Sequence, residues 1–227
     1  MLRRISEVVA AVVLGALLVV ALGLLFGQDS DTTADEVPSS SQTQVANKPV
    51  DPELFLAAYE RSLTGTYIVS GTQTVSLDGV QIGVSTFKHV RRGDQSLEQE
   101  GAAVLMVDGA VQRVCDQPIL ATETTCQADQ PAPTTAQRVD LFRRNLEPQG
   151  AQARADYEVY AGKPGCWQTI GTRPMPNSPW GQTTLWCFDQ ATGALVLRET
   201  TTGTEQIRLE ATTIVAAVRD GDFVIDE

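Results

Sequence analysis

Histidine is nearly absent from this sequence: His89 stands alone among 227 residues. Any Ser-His-Asp or Cys-His arrangement would have to be built on that one imidazole. It lies in Phe87-Lys88-His89-Val90, a strand-like run with no nucleophile motif, and reads as a surface or structural side chain. No C-x-x-C pair occurs, which makes the cysteines a poor zinc set. Gly162-Lys163 lacks the rest of a phosphate-binding loop and runs into Pro164. Positive charge is scarce too, with 17 Lys and Arg against 28 Asp and Glu, a net charge of −11. From Asp51 onward 14 basic residues face 23 acidic ones, leaving −9 on that part alone. Such a field repels nucleic acid, and the pairs Arg91-Arg92 and Arg143-Arg144 are too small to reverse it. Carboxylates abound, yet no spacing nominates an acid–base pair. The expectation is a binding protein rather than an enzyme, with no catalytic residues, no metal and no cofactor.

What is present begins with one long apolar run. Val8 to Phe26 is 19 residues without a polar side chain. At about 1.5 Å per residue it approaches the ~30 Å hydrocarbon core of a bilayer. The apolar region of a cleaved signal peptide is shorter, about 7–15 residues. No small-x-small site follows the run, and no cysteine sits there to be lipidated. Arg3 and Arg4 precede it, whereas Asp29, Asp31, Asp35 and Glu36 follow. Cationic flanks stay in the cytoplasm. The expected organisation is a cytoplasmic tip over 1–7, a single transmembrane helix over 8–26 and an acidic tether over 27–50. An extracytoplasmic domain over 51–227 completes it. The localisation is then the cell membrane, with the lipid bilayer as partner through residues 8–26. As flexible coil, the 23 residues Gln28 to Val50 span about 25–30 Å.

Cys115, Cys126, Cys166 and Cys187 all lie beyond the run. An even count in an exported domain reads as disulfides. Three pairings exist, and the sequential one, Cys115 with Cys126 and Cys166 with Cys187, is favoured. Each bridge would contribute about 2–4 kcal/mol, mainly by restraining the unfolded chain.

The domain reads as two helices and two strand meanders. Asp51-Pro52-Glu53 is a helix start, followed by Leu54, Phe55, Ala58, Tyr59, Ser62 and Leu63 at helical spacing up to Gly65. Thr66 to Leu77 and Val80 to Val90 flank Asp78-Gly79, a two-residue hairpin signal. Arg91 to Asp94 reads as the next turn, Gln95 to Val107 as one strand, and Asp108-Gly109 as a reversal before Ala110 to Cys115. Thr134 to Leu146 is the second helix, with Val139, Phe142 and Leu146 as its apolar stripe. Strands resume at Tyr157 to Tyr160, Cys166 to Ile170, Gly181 to Phe188, Ala194 to Thr201 and Glu205 to Val218. The prolines of Gly171 to Pro179 mark a loop. Eight or nine short strands with two helices indicate an antiparallel α+β domain. If Cys166 and Cys187 pair across neighbouring strands, alternation places Gln168 and Leu185 on their face. Trp167, Trp186 and Phe188 then share the other face.

Asp189 to Thr200 (DQATGALVLRET), Glu205-Gln206-Ile207 and Ile214 to Phe223 together resemble the half-barrel superfamily of the lipoprotein carriers LolA and LolB. Its relatives include the mycobacterial LppX and LprG lipoproteins and the N-terminal domain of RseB (MucB). The resemblance implies a curved antiparallel sheet, a half-barrel, packed on two helices, with a concavity that often holds acyl chains. It implies a lipid or other apolar ligand, or envelope sensing, as the function. Phe55, Val139, Phe142, Leu146, Trp167 and Trp186 are the candidate wall residues, each with an ordinary core reading beside the functional one. The alternative function is a scaffold domain docking an envelope protein through a sheet edge or the loop Arg173 to Pro179. An extracytoplasmic hydrolase is the third.

Overall fold

The computed structural model describes residues 48–116, 125–148, 154–174 and 180–224. The expected anchor and most of the tether lie outside the described residues, as do positions 175–179 of the proline-rich loop. No helix among the described residues is long and apolar enough to cross a membrane.

Helix α1 covers Pro52–Thr64, capped by the Asp51 side chain, which accepts from the Glu53 N–H at 3.0 Å. Its end is closed by Gly65, whose N–H donates to the Arg61 carbonyl. Phe55, Leu56, Ser62 and Leu63 are buried, but Leu54 is 62% exposed. The apolar stripe is therefore centred one position further along than the sequence indicates, with Leu56 in it. Helix α2 covers Thr135–Leu146 and opens with a reciprocal capping box between Thr134 and Gln137. Val139, Phe142 and Leu146 are its buried residues, as the spacing predicts.

Twelve antiparallel strands form one open sheet: β1 Thr66–Leu77, β2 Val80–Arg92, β3 Gln95–Glu100, β4 Ala103–Asp108, β5 Val111–Asp116, β6 Thr125–Cys126, β7 Gln130–Pro131, β8 Tyr157–Ala161, β9 Cys166–Gly171, β10 Thr183–Phe188, β11 Leu195–Thr202 and β12 Glu205–Val215. The order is β6-β5-β4-β3-β2-β1-β12-β11-β10-β9-β8, with β7 beside β5. The last strand thus returns to the first and joins the two meanders. A Cβ at Gly71 would lie 2.0 Å from the Glu210 carbonyl oxygen, so this close approach beside the β1–β12 bulge requires glycine. The Asp78-Gly79 turn has φ of 52° and 79°, the positive pair that a tight hairpin needs.

Three expectations are corrected. Arg91 and Arg92 are not turn residues: β2 runs through both, and the reversal is at Gly93-Asp94. Gln95 to Val107 is two strands, reversing at Gly101, whose φ is 59°. The last strand ends at Val215, short of Val218. The sequential disulfides are present: Cys115–Cys126 joins β5 to β6, and Cys166–Cys187 joins β9 to β10. Trp167 and Trp186 are register partners beside that second bridge, on the opposite face.

Both helices lie against one side of the sheet. There Phe55, Phe142, Tyr157, Trp180, Trp186 and Phe188 belong to the largest apolar cluster. On the far side Val90, Leu97, Val104 and Cys115 form another, covered by Val218 and Phe223. Phe223 closes a 3-10 turn, Asp220–Phe223, held by an Arg92–Asp220 ion pair of 2.7 Å. Both sides of β2 and β3 are therefore covered.

Candidate functional site

Alternation along β2 and β3 has an unusual consequence. Val90 and Leu97 point to the far side, so His89 and Arg91, with Ser96, Glu98 and Glu100, must point toward the helices. From His89 and Ser96 onward these strands deliver charge to the helix-facing side, and Phe87, its ring 5.1 Å from that of His89, is the buried apolar residue beside it. Across the sheet, β11 adds Arg198 and Thr200, the register partners of Trp186 and Thr184.

His89, Arg91, Glu98, Glu100, Arg198 and Thr200, but not Ser96, line a cavity of about 380 Å³ between the helices and the sheet, where they meet residues from both helices. One part of its wall is apolar or aromatic: Tyr59 and Leu63 from α1, Phe142 from α2, then Trp180, Trp186 and Ile207. The rest is ionic. Arg91 donates to Glu98 at 2.6 Å and to the Leu63 carbonyl, at the end of α1, at 3.1 Å. Arg138 on α2 approaches the same Glu98 oxygen at 3.8 Å. Glu100 takes a 2.7 Å hydrogen bond from Arg198 and lies 3.1 Å from His89 Nε2. Three guanidiniums and an imidazole thus stand against two carboxylates. Buried charges of this kind persist only when paired and hydrogen-bonded.

The electrostatics follow from that pairing. Burial pushes the Glu100 carboxyl up, but the His89 hydrogen bond and the Arg198 charge outweigh it and hold it at about 2. Burial, helped by the Glu98 charge, pushes the Tyr59 phenol up to about 12. Burial likewise raises Tyr67, whose hydroxyl donates to the Ser62 carbonyl at 2.7 Å. Both phenols therefore remain neutral donors near pH 7.

Of the six candidate wall residues, Phe142 and Trp186 reach this cavity. Phe55 and Val139 lie in the buried cluster behind it, and Trp167 packs on that cluster half-buried. Leu146 is buried in the cluster and also borders a separate surface depression beside Val50 and Tyr157. Sequence reasoning missed Arg91, Glu98, Glu100, Arg138 and Arg198. The signal for the strand residues was period-two charge (His89, Arg91; Glu98, Glu100) alternating with Val90 and Leu97. Among the described residues no cluster of three or more His, Cys, Asp or Glu could hold a metal.

The turn that carried the resemblance has a structural role. Asp189 accepts from the Thr192 N–H and hydroxyl, both at 2.7 Å. Gly193, with φ of 79°, sits so close to α1 that a Cβ would be 3.0 Å from the Arg61 carbonyl oxygen. This turn seats β10 and β11 against the end of α1.

No protein-family model matches the sequence, and no curated protein matches it. Solved structures do. A LolA superfamily protein from Nitrosomonas europaea is 11% identical over 78% of this chain and 98% of its own, with a TM-score of 0.30. The MucA/MucB complex of Pseudomonas aeruginosa matches at 16% identity, over 76% of this chain and 59% of that one, with a TM-score of 0.37. A putative outer membrane lipoprotein-sorting protein domain from Vibrio parahaemolyticus is 10% identical over 75% and 95%, with a TM-score of 0.25. Of the relatives that the sequence resembles, a LolA superfamily protein and MucB are among these structures.

Proposed function

We propose that this chain is a non-catalytic binding module that holds an apolar or amphiphilic ligand between its helix pair and its sheet. The observation that carries this reading is the cavity of about 380 Å³, aromatic on one part of its wall and ion-paired on the rest. Its volume falls in the range of small-ligand sites, and a wall that is aromatic on one part and ionic on another suits a ligand with an apolar and a polar end. The site takes one chain or one compact ligand, not a multi-chain lipid in full. The apolar run Val8 to Phe26 and the flanking charges support an anchor in the cell membrane with the domain outside. The two disulfides support an oxidising compartment.

The test is organic extraction and mass spectrometry of the full-length chain purified from membranes. A stoichiometric amphiphile, lost in a Trp186→Arg variant that still folds, is expected. A chain that carries no ligand and takes up no added amphiphile would sink the proposal.

A second reading, docking of an apolar segment of an envelope protein, draws on the tip of the β1–β2 hairpin. There Leu77, Val80, Ile82 and Val84 are exposed. A photo-crosslinker at Ile82 giving one adduct of defined mass, abolished by Val84→Asp, is its expected outcome. A ladder of unrelated adducts would count against it.

A further inference from the structure

A second pocket, of about 330 Å³, adjoins the cavity and shares Leu63, Arg91 and Arg138 with its wall. It opens where the N-terminus of α2 meets the β2–β3 and β4–β5 turns, at Gly93-Asp94 and Gly109-Ala110. Ser96 lies inside it. Its side chain faces the same way as its register partner Arg91, it is 2% exposed, and its Oγ has no hydrogen-bond partner. A buried hydroxyl left unsatisfied costs about 1–3 kcal/mol. Nearly all buried polar atoms in folded proteins are paired, so this hydroxyl singles out the pocket that it lines.

Three other features converge on the same space. The α2 capping box occupies the N–H groups of Thr134 and Gln137, while those of Thr135 and Ala136, in the first turn, have no intrahelical acceptor. No acidic residue stands in the first turn of α2, so the positive end of the helix is not neutralised there. The Arg138 guanidinium, only partly exposed, has the 3.8 Å approach to Glu98, longer than a hydrogen bond. Asp94 is the acidic side chain on this wall, and Glu98 stays on the cavity side, bound to Arg91.

We propose that Ser96, Arg138 and the N-terminus of α2 form a cradle for a compact oxyanion of the phosphate class, presented as the head of an amphiphile whose apolar part lies in the adjoining cavity. This rests on the binding function proposed above. Backbone N–H groups at a helix start, a guanidinium and a hydroxyl are the donors that a tetrahedral oxyanion needs. The shared wall places the head beside the cavity.

The test is titration of tryptophan fluorescence, which Trp180 and Trp186 report, in the full-length chain held in phosphatidylcholine nanodiscs. The probes are octyl phosphate, octyl glucoside and inorganic phosphate, each corrected against empty nanodiscs. Octyl phosphate is expected to bind on the order of tenfold more tightly than either of the others. Ser96→Ala and Arg138→Gln should each lower the octyl phosphate to octyl glucoside affinity ratio several-fold. Arg144→Gln, on the exposed face of α2, should leave it unchanged. Because Ser96→Ala deletes an unsatisfied hydroxyl, its melting temperature should hold or rise while the ratio falls, which a merely structural role does not produce. Equal binding of the two octyl probes overturns the oxyanion cradle and leaves the cavity reading standing. Inorganic phosphate binding as tightly as octyl phosphate overturns the amphiphile in favour of a free anion. Failure of every probe overturns the cavity reading as well.

Discussion

Between β8 and β10 the helices rest on Trp167, Trp186 and Phe188, and between β2 and β3 they face His89, Arg91, Glu98 and Glu100. The same helix pair serves both halves of one sheet, yet the two halves are built from opposite chemistry. In the aromatic half, rings fill the space. Phe55 lies 5.5–6.4 Å, centroid to centroid, from Phe142, Trp167, Trp186 and Phe188. In the ionic half, guanidiniums and carboxylates hold one another while the space between them stays open. Apolar packing gains from closing every gap, whereas a buried ion pair gains only when its geometry is met and its neighbours are satisfied. The difference separates the part of the helix-facing side that is packed shut by rings from the part whose ion pairs leave space open.

The largest expected effect breaks the aromatic half. Phe55 is fully buried at the centre of five rings, Tyr59 at 6.2 Å being the fifth, so Phe55→Ala should cost about 3–5 kcal/mol in urea unfolding. A loss under about 1 kcal/mol would show that the rings are not the folding core. The next effect probes the ionic half. Arg91→Met leaves the Glu98 carboxylate without its 2.6 Å partner and should cost about 3 kcal/mol. Adding Glu98→Leu should recover most of that loss, because removing both charges removes the unpaired one. A double variant no better than the single one would mean that the pair itself holds the strands.

Acid sharpens the contrast further. The Glu100 carboxyl is held at about 2, below its ordinary 4.5. Its contribution is therefore complete above pH 4.5 and is lost as pH falls from there through 2. The full shift corresponds to on the order of 3 kcal/mol. The stability gap between the natural protein and Glu100→Gln should be widest near pH 6 and nearly gone at pH 2. A gap that does not change over that window would place Glu100 outside the network. No such window is expected for Phe55→Ala, whose cost comes from lost packing.

The two halves also differed in how well they could be read from sequence. The aromatic half was legible because its rules are local. Asp51 and Thr134 announce helix starts, and Val139, Phe142 and Leu146 recur at helical spacing. Strand alternation beside Cys166 and Cys187 put Trp167, Trp186 and Phe188 on one side. The ionic half was hidden by Arg91-Arg92-Gly93-Asp94, which has the composition of a turn. Its first two residues extend β2 because β3 and α1 supply Glu98 and the Leu63 carbonyl to Arg91. Those partners are tertiary, and no local propensity encodes them. Glu100 and Arg198 are 98 positions apart, and only the closure of β12 onto β1 brings their halves together.

The smallest effect asks whether buried hydroxyls are treated alike in the two halves. In the aromatic half Thr169 is fully buried, and its Oγ1 accepts from Trp186 Nε1 at 3.1 Å. Thr169→Val leaves that indole N–H unpaired and should cost about 1–2 kcal/mol. In the ionic half Ser96 is as deeply buried, but its Oγ has no partner to abandon. Ser96→Ala should therefore cost nothing or raise stability slightly, since it deletes a desolvated group without leaving another exposed. Equal losses at Thr169 and Ser96, measured by urea unfolding without ligand, would mean that Ser96 already has a partner within the fold. A loss at Thr169 alone would mean that the ionic half carries, in the empty protein, a donor whose acceptor has yet to arrive.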